Sequence, residues 1–77
     1  MTLDQLPVGK TATILGVGGQ GALRRRLLDM GLTPRTKVTL RKTAPFGDPL
    51  ELFLRGYSLT LRKEEAAKIT VEAVETV

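Results

Sequence analysis

The chain has 77 residues and carries a net charge of +4, with 42% hydrophobic and 26% charged residues. This length holds one domain with one small core, and the composition is that of an ordinary globular protein, so we expect a single domain over residues 1–77. Cysteine and histidine are both absent, which excludes disulfide bridges, thiolate or imidazole metal sites, and catalysis by a cysteine nucleophile or a histidine base.

The first elements are predicted to be a short turn and a strand. Thr2 begins one turn of helix, which Pro7 and Gly9 prevent from continuing. Residues 10–17 alternate polar and apolar side chains and include β-branched ones, which predicts the first strand.

The glycines after this strand have the spacing of a dinucleotide-binding fingerprint, with Gly16, Gly18 and Gly21 at the G-x-G-x-x-G positions. Such a site needs a parallel sheet, whose strands are continuous apolar runs. Residues 36–42 instead alternate, and no acidic residue follows them to hold a ribose. We therefore interpret the glycines as a flexible loop between strand and helix, and we predict no bound cofactor.

A short helix is predicted over residues 22–30, with an apolar stripe and one leucine outside it. The residues of the stripe are Leu23, Leu27 and Met30. Leu28 lies more than about 90° from the stripe on a helical wheel, between Arg24 and Arg25. An apolar side chain among arginines is a candidate contact with a partner.

The helix is predicted to end at Gly31 in a left-handed conformation, with Leu32 folding back onto Leu27. The Thr33-Pro34 pair then predicts a turn.

The rest of the chain is predicted to be mostly strands. They cover residues 36–42, 50–55, 57–61 and 69–73, with a loop at 45–49 and a hairpin turn at Gly56. Residues 63–68 form a short helical turn, in which Glu64 and Lys68 have the spacing of an ion pair. Together with the first strand this makes about five strands, so we expect a mainly β fold, a small barrel with one short inserted helix and short helical turns.

Two interpretations remain open for the few aromatic residues, which are Phe46, Phe53 and Tyr57. Phe53 points away from its leucine neighbours, so it could stack on the bases of a nucleic acid. It could instead cover the outer face of the barrel beneath the helix, which we favour.

Charge and carboxylate spacing indicate neither a nucleic-acid site nor an enzyme. The basic residues are spread over the helix, the end of a strand and a later turn, which is typical of a solvated surface. The carboxylates, the only side chains left that could hold a metal, lack the spacing of a catalytic pair or a calcium loop. We predict no catalytic residue and no metal site.

Four segments in this order resemble the FeoA family, small cytoplasmic accessory proteins of bacterial ferrous iron uptake. They are residues 3–9, residues 28–34, residues 44–49, and residues 56–62 followed by Glu65-Ala66. The domain is also similar to the carboxy-terminal barrel of iron-dependent repressors. The family pattern usually has glycine after the proline of the turn, where this chain has Arg35; arginine tolerates positive φ less well than glycine.

The resemblance implies an SH3-like barrel that is not an enzyme and that binds the transporter FeoB at its cytoplasmic GTP-binding domain. With no apolar run near the ~18 residues of a membrane span and no signal peptide, we expect a cytoplasmic protein without direct membrane insertion. No nucleic acid is expected as a partner, and a homo-oligomer is left open. We hypothesise that Arg24, Arg25 and Leu28 form the partner-binding face, because arginine and apolar residues are enriched at interface cores.

Two alternatives belong to other classes of protein. One is a nucleic-acid-binding small β-barrel, whose affinity would fall steeply with salt. The other is a freestanding regulatory domain of the repressor type, although no helix-turn-helix segment is visible in the sequence.

Overall fold

The computed structural model describes residues 1–73, in which one antiparallel sheet of five strands packs against one helix and two helical turns. In chain order the elements are a 3₁₀ turn (Leu3–Gln5), β1 (Thr11–Val17), α1 (Gly21–Asp29), β2 (Lys37–Thr43), β3 (Leu50–Leu54), β4 (Tyr57–Leu61), α2 (Lys63–Ala66) and β5 (Ile69–Ala73). The predicted mainly β fold with five strands and one inserted helix is confirmed, and the ends of the helices and strands agree with the prediction to within two residues.

The strands lie in the order β4-β3-β2-β1-β5, and all pairs are antiparallel. The predicted hairpin joins β3 and β4 through Arg55 and Gly56, both with positive φ, as a type I′ turn requires. The amino terminus covers the outer edge of β5, where Thr2 bridges Thr70.

One face of the sheet forms the core together with the helical segments. Its fully or nearly fully buried apolar residues are Leu3, Leu6, Ala12, Ile14, Leu27, Leu32, Val38, Leu40, Leu50, Leu52, Leu54, Leu61, Ala66, Ile69 and Val71. They alternate along β1, β2, β3 and β5 because side chains two apart in a strand face the same side. Helix α1 contributes one fully buried residue, Leu27, while Leu23 and Met30 pack against the core from its margin.

Helix α1 ends in the predicted glycine cap. Gly31 has φ +97°, and its amide donates to the Leu28 carbonyl at 3.0 Å while the Leu32 amide donates to the Leu27 carbonyl at 3.2 Å. These two bonds are those of a Schellman motif, and the accompanying apolar pair is Leu27 with Leu32, both fully buried. The hydroxyl of Tyr57 donates to the Met30 carbonyl and fastens this helix end to β4.

The turn after the helix places an arginine in a left-handed conformation. The Thr36 amide donates to the Thr33 carbonyl at 3.2 Å, and Arg35 has φ +74°, which is the pattern of a type II turn with Pro34 at its second position. The Arg35 amide also donates to the Ile14 carbonyl at 2.7 Å. The turn is therefore bound to β1, and the backbone has positive φ where the FeoA pattern has glycine.

The glycine-rich segment after β1 allows its backbone at Gly18 to lie very close to the backbone at Lys68. The Gly18 amide donates to the Lys68 carbonyl at 2.6 Å, and a Cβ on Gly18 would lie only 2.9 Å from that oxygen. Because the sheet is antiparallel throughout residues 1–73, it does not provide the frame of a dinucleotide site.

The predicted ion pair between Glu64 and Lys68 is wrong. Helix α2 ends at Ala66, before Lys68, and neither Glu64 nor Lys68 takes part in an ion pair within residues 1–73. Among residues 1–73, Glu65 pairs instead with Arg26 of α1. None of the helices in this part of the chain has the length and apolarity needed to cross a bilayer.

Candidate partner-binding surfaces

The outward face of α1 carries the three predicted partner-binding residues. Arg24 and Arg25 are exposed, and Leu28 is half-buried. Leu28 is not one of the half-buried apolar residues that pack against the core. The three residues lie on the side of α1 away from the stripe, as helical periodicity requires.

The two arginines on this face differ in their contacts. The Arg24 side chain bends back to β1, where its Nε donates to the Val17 carbonyl at 3.2 Å. Arg25 is exposed, and its side chain takes part in none of the ion pairs found within residues 1–73. A partner that approaches this face would therefore meet Arg25 and Leu28 first, and Arg24 would contribute its charge from a fixed position.

The opposite side of α1 borders a cleft, which we call the α1-side cleft. It has a volume of about 470 Å³ and lies between α1, the end of β4 and the β2–β3 loop; Arg26, Met30, Asp48, Thr60 and Arg62 are among its lining residues. Glu65 lies at its border, where its carboxylate pairs with Arg26 and accepts the Arg62 amide at 3.0 Å.

The loop between β2 and β3 presents the most exposed large apolar side chain of the described residues. We call residues 44–49 the Phe46 loop; Phe46 at its tip is 97% exposed. The Gly47 amide donates to the Ala44 carbonyl at 2.7 Å, and the Ala44 amide donates to the Pro49 carbonyl at 3.0 Å. The loop is therefore closed by its own backbone bonds.

A further bond ties the Phe46 loop to helix α2. Asp48 accepts the backbone amide of Lys63, the first residue of α2, at 3.0 Å. A second cleft of about 320 Å³, the β2-side cleft, lies on the other side of the loop and is lined in part by Lys42, Ala44 and Glu51. Both clefts also touch Pro49 and Thr60, so the base of the Phe46 loop separates them.

The sequence pattern did not indicate the Phe46 loop as a contact surface, although Phe46 is one of the three aromatic residues. The aromatic residue that the sequence indicated for stacking or for covering the sheet was Phe53, which is half-buried. The Arg41 guanidinium lies over the Phe53 ring, 4.4 Å from its centre. The predicted cover by the helix is therefore wrong, because an arginine of the neighbouring strand covers Phe53. A ring that already carries a cation on its face is less available for stacking on a base.

The described residues contain no group of three or more histidine, cysteine, aspartate or glutamate side chains that could hold a metal ion. The carboxylates near the clefts are each engaged with a neighbour: Glu65 with Arg26, Glu51 with Lys42 at 3.8 Å, and Asp48 with the Lys63 amide. Beside these engaged carboxylates, the surfaces present one apolar tip, Phe46, and several cations.

Comparison with known families and proteins identifies similar chains. The FeoA domain family matches residues 1–73. A Fe(2+) transport protein A/Fe(2+) transporter FeoB fusion protein of Porphyromonas gingivalis is 38% identical over 76 residues, which cover 99% of this chain and 9% of that protein. The chain thus spans less than a tenth of the length of this relative.

Solved structures agree with the family match. A FeoA-like protein from Clostridium acetobutylicum is similar with a TM-score of 0.91 and 36% identity, covering 100% of this chain and 90% of that one. FeoA from Stenotrophomonas maltophilia, a zinc complex described as an SH3 domain protein, has a TM-score of 0.83 and 29% identity over 94% of this chain and 89% of that one. A manganese-dependent transcriptional repressor shares the fold at 15% identity. The family resemblance and the expected SH3-like fold are confirmed.

Proposed function

Because the chain belongs to the FeoA family, we propose that it is a cytoplasmic accessory protein of ferrous iron uptake that binds the FeoB GTPase-permease. One observation carries the proposal: nearly the whole chain aligns with part of a protein that is named as a fusion of Fe(2+) transport protein A with the Fe(2+) transporter FeoB. Two domains that exist as one polypeptide in one organism are held at high effective concentration. The fusion supports a contact between the two domains, and we propose the same contact for this chain and FeoB.

The kind of function is binding rather than catalysis. The chain has neither histidine nor cysteine, and the carboxylates beside the two clefts are engaged in ion pairs or with a backbone amide. We propose that the chain is not an enzyme and that it acts on transport through its contact with the GTP-binding domain of FeoB.

The outward face of α1 is the first proposed contact. Arg25 and Leu28 are accessible there, and Arg24 lies beside them, so the face fits a partner surface that is acidic with an apolar centre. Docking at this face biases the nucleotide state of FeoB only if the affinity differs between the two states.

The test of the proposal is a calorimetric titration of the full chain into the GTP-binding domain of FeoB from the same organism, once with GDP and once with a non-hydrolysable GTP analogue. Affinities that differ between the two nucleotides would make the chain a regulator of the switch, and equal affinities would make it an assembly factor. Absence of binding in both states would contradict the proposed contact with this domain.

The Leu28→Ser variant tests the α1 face. We expect it to weaken binding about tenfold or more, as truncation of a central interface residue does. The midpoint of thermal unfolding should change little, because Leu28 does not pack against the core. Leu23→Ser is the matched control on the same helix, since Leu23 does pack there; it should lower the midpoint. A large loss of stability in Leu28→Ser would instead give Leu28 a structural role.

A further inference from the structure

The Phe46 loop has the physical properties of a preformed docking element. Phe46 is 97% exposed, whereas the other large exposed apolar side chains of residues 1–73 are near half exposed: Met1, Val8, Leu15 and Tyr57. A solvated phenylalanine ring contributes nothing to the core of the domain, and aromatic rings in contact with a partner are among the strongest interface anchors. We propose that Phe46 inserts into an apolar socket on the proposed protein partner, the GTP-binding domain of the transporter.

The backbone of the loop is suited to contact with an apolar surface. Of its six residues, Pro45 and Pro49 have no amide hydrogen, and the amides of Ala44 and Gly47 are bonded within the loop. Few backbone donors would therefore lose water when the tip is covered. The internal bonds, together with the bond from the Lys63 amide to Asp48, fix the loop before binding, which lowers the entropy lost on association.

The surroundings of the loop favour a protein over a lipid surface. The α1-side cleft and the β2-side cleft flank its base, with volumes of about 470 and 320 Å³. A protruding ring between two hollows complements a surface with one socket and two ridges, and a partner with fixed side chains provides such relief. A bilayer would cover the ring and leave the hollows filled with water.

The charged residues beside the Phe46 loop indicate which charges the rim of the socket should carry. Asp48, Glu51 and Glu65 are already engaged by the domain itself. Arg62 and Lys63, at the join of β4 and α2, are exposed beside the loop, and no ion pair engages them within residues 1–73. The pairs Glu65–Arg26 and Glu51–Lys42 each balance in charge. The two cations Arg62 and Lys63 then stand against the one carboxylate of Asp48, which keeps its charge, so the rim of the socket is expected to carry carboxylates.

This inference rests on the proposed function, and its test separates the two. The full chain and its variants are titrated into the GTP-binding domain. We expect Phe46→Ser to weaken binding at least tenfold, Phe46→Leu to retain affinity within about threefold because the socket still receives an apolar group, and Val8→Ser to bind as the unchanged chain does. Val8 is the matched control because it is also an exposed apolar loop residue, 55% accessible. All variants should keep the thermal midpoint, since the replaced side chains lie in solvent.

The outcomes are distinct. If the unchanged chain binds and Phe46→Ser binds equally well, the socket is wrong while the proposed function stands. If the unchanged chain does not bind, both fail.

A fluorescent variant distinguishes a protein socket from a membrane. The chain has no tryptophan, so Phe46→Trp introduces a single indole at the tip of the loop. A blue shift of its emission on addition of the GTP-binding domain supports the proposal. The same shift on addition of vesicles of phosphatidylglycerol and phosphatidylcholine alone would overturn it in favour of lipid insertion.

Discussion

Arg35 holds a conformation that its side chain does not favour. Its φ of +74° lies in the left-handed region, which costs a residue other than glycine about 1–2 kcal/mol. Replacement by glycine removes this cost but adds about 0.5–1 kcal/mol of backbone entropy in the unfolded chain. We therefore expect Arg35→Gly to raise the free energy of unfolding by about 0.5–1 kcal/mol, measured by urea denaturation. Arg35→Ala keeps the Cβ atom and should bring no gain.

Arg55 provides the contrasting case at the same scale. It also has positive φ, +49°, but its Nη2 donates to Thr36 Oγ1 at 2.9 Å and to Thr33 Oγ1 at 3.2 Å. Glycine at position 55 would relieve the backbone and lose both bonds. If Arg35→Gly and Arg55→Gly changed stability alike, backbone strain alone would govern the two sites, and the side-chain bonds of Arg55 would contribute nothing.

Gly31 in the cap of α1 is harder to replace than Gly47 in the Phe46 loop. Gly31 and Gly47 both have positive φ, +97° and +81°. A Cβ on Gly31 would overlap the hydroxyl of Tyr57, whereas a Cβ on Gly47 would meet no atom within 4 Å. We expect Gly31→Ala to lower the free energy of unfolding by about 1–3 kcal/mol more than Gly47→Ala, through overpacking and the lost Tyr57 contact. Equal losses in thermal or urea unfolding would mean that backbone conformation is the whole effect.

The elements also show what sequence patterns can and cannot predict. The cap was predictable because Gly31 and Leu32 follow an apolar periodicity within a few residues. The Arg26–Glu65 pair was not, because it joins two helices that are far apart in sequence. The cover over Phe53 comes from Arg41 on the neighbouring strand, and the alternation of side chains does not give the register of the two strands. Loops have no periodicity, so the exposure of Phe46 could not be read from its neighbours.

At the scale of the whole molecule, one core couples α1 to the sheet. Leu27 is the only residue of α1 that is fully buried, and it belongs to the same cluster as the strand residues. Leu27→Ala is expected to lower the free energy of unfolding by about 2–5 kcal/mol. At ~0.05–0.15 kcal/mol per residue, a domain of this length has about 4–12 kcal/mol in total, so the variant should be near the limit of folding at 37 °C.

The same single core predicts that the domain unfolds in one step. Tyr57 is the only tyrosine and contacts the end of α1 from β4, so its fluorescence reports the docking of the helix, while far-UV circular dichroism reports the sheet. We expect the two signals to change at one denaturant concentration in the unchanged chain, because α1 has no separate core that could hold it in place. In Leu27→Ala both midpoints should fall together, and Leu23→Ala, at the margin of the core, should move them less. A tyrosine signal that changes first would mean that α1 undocks from an intact sheet, and the face that carries Arg25 and Leu28 would then be presented by a mobile helix.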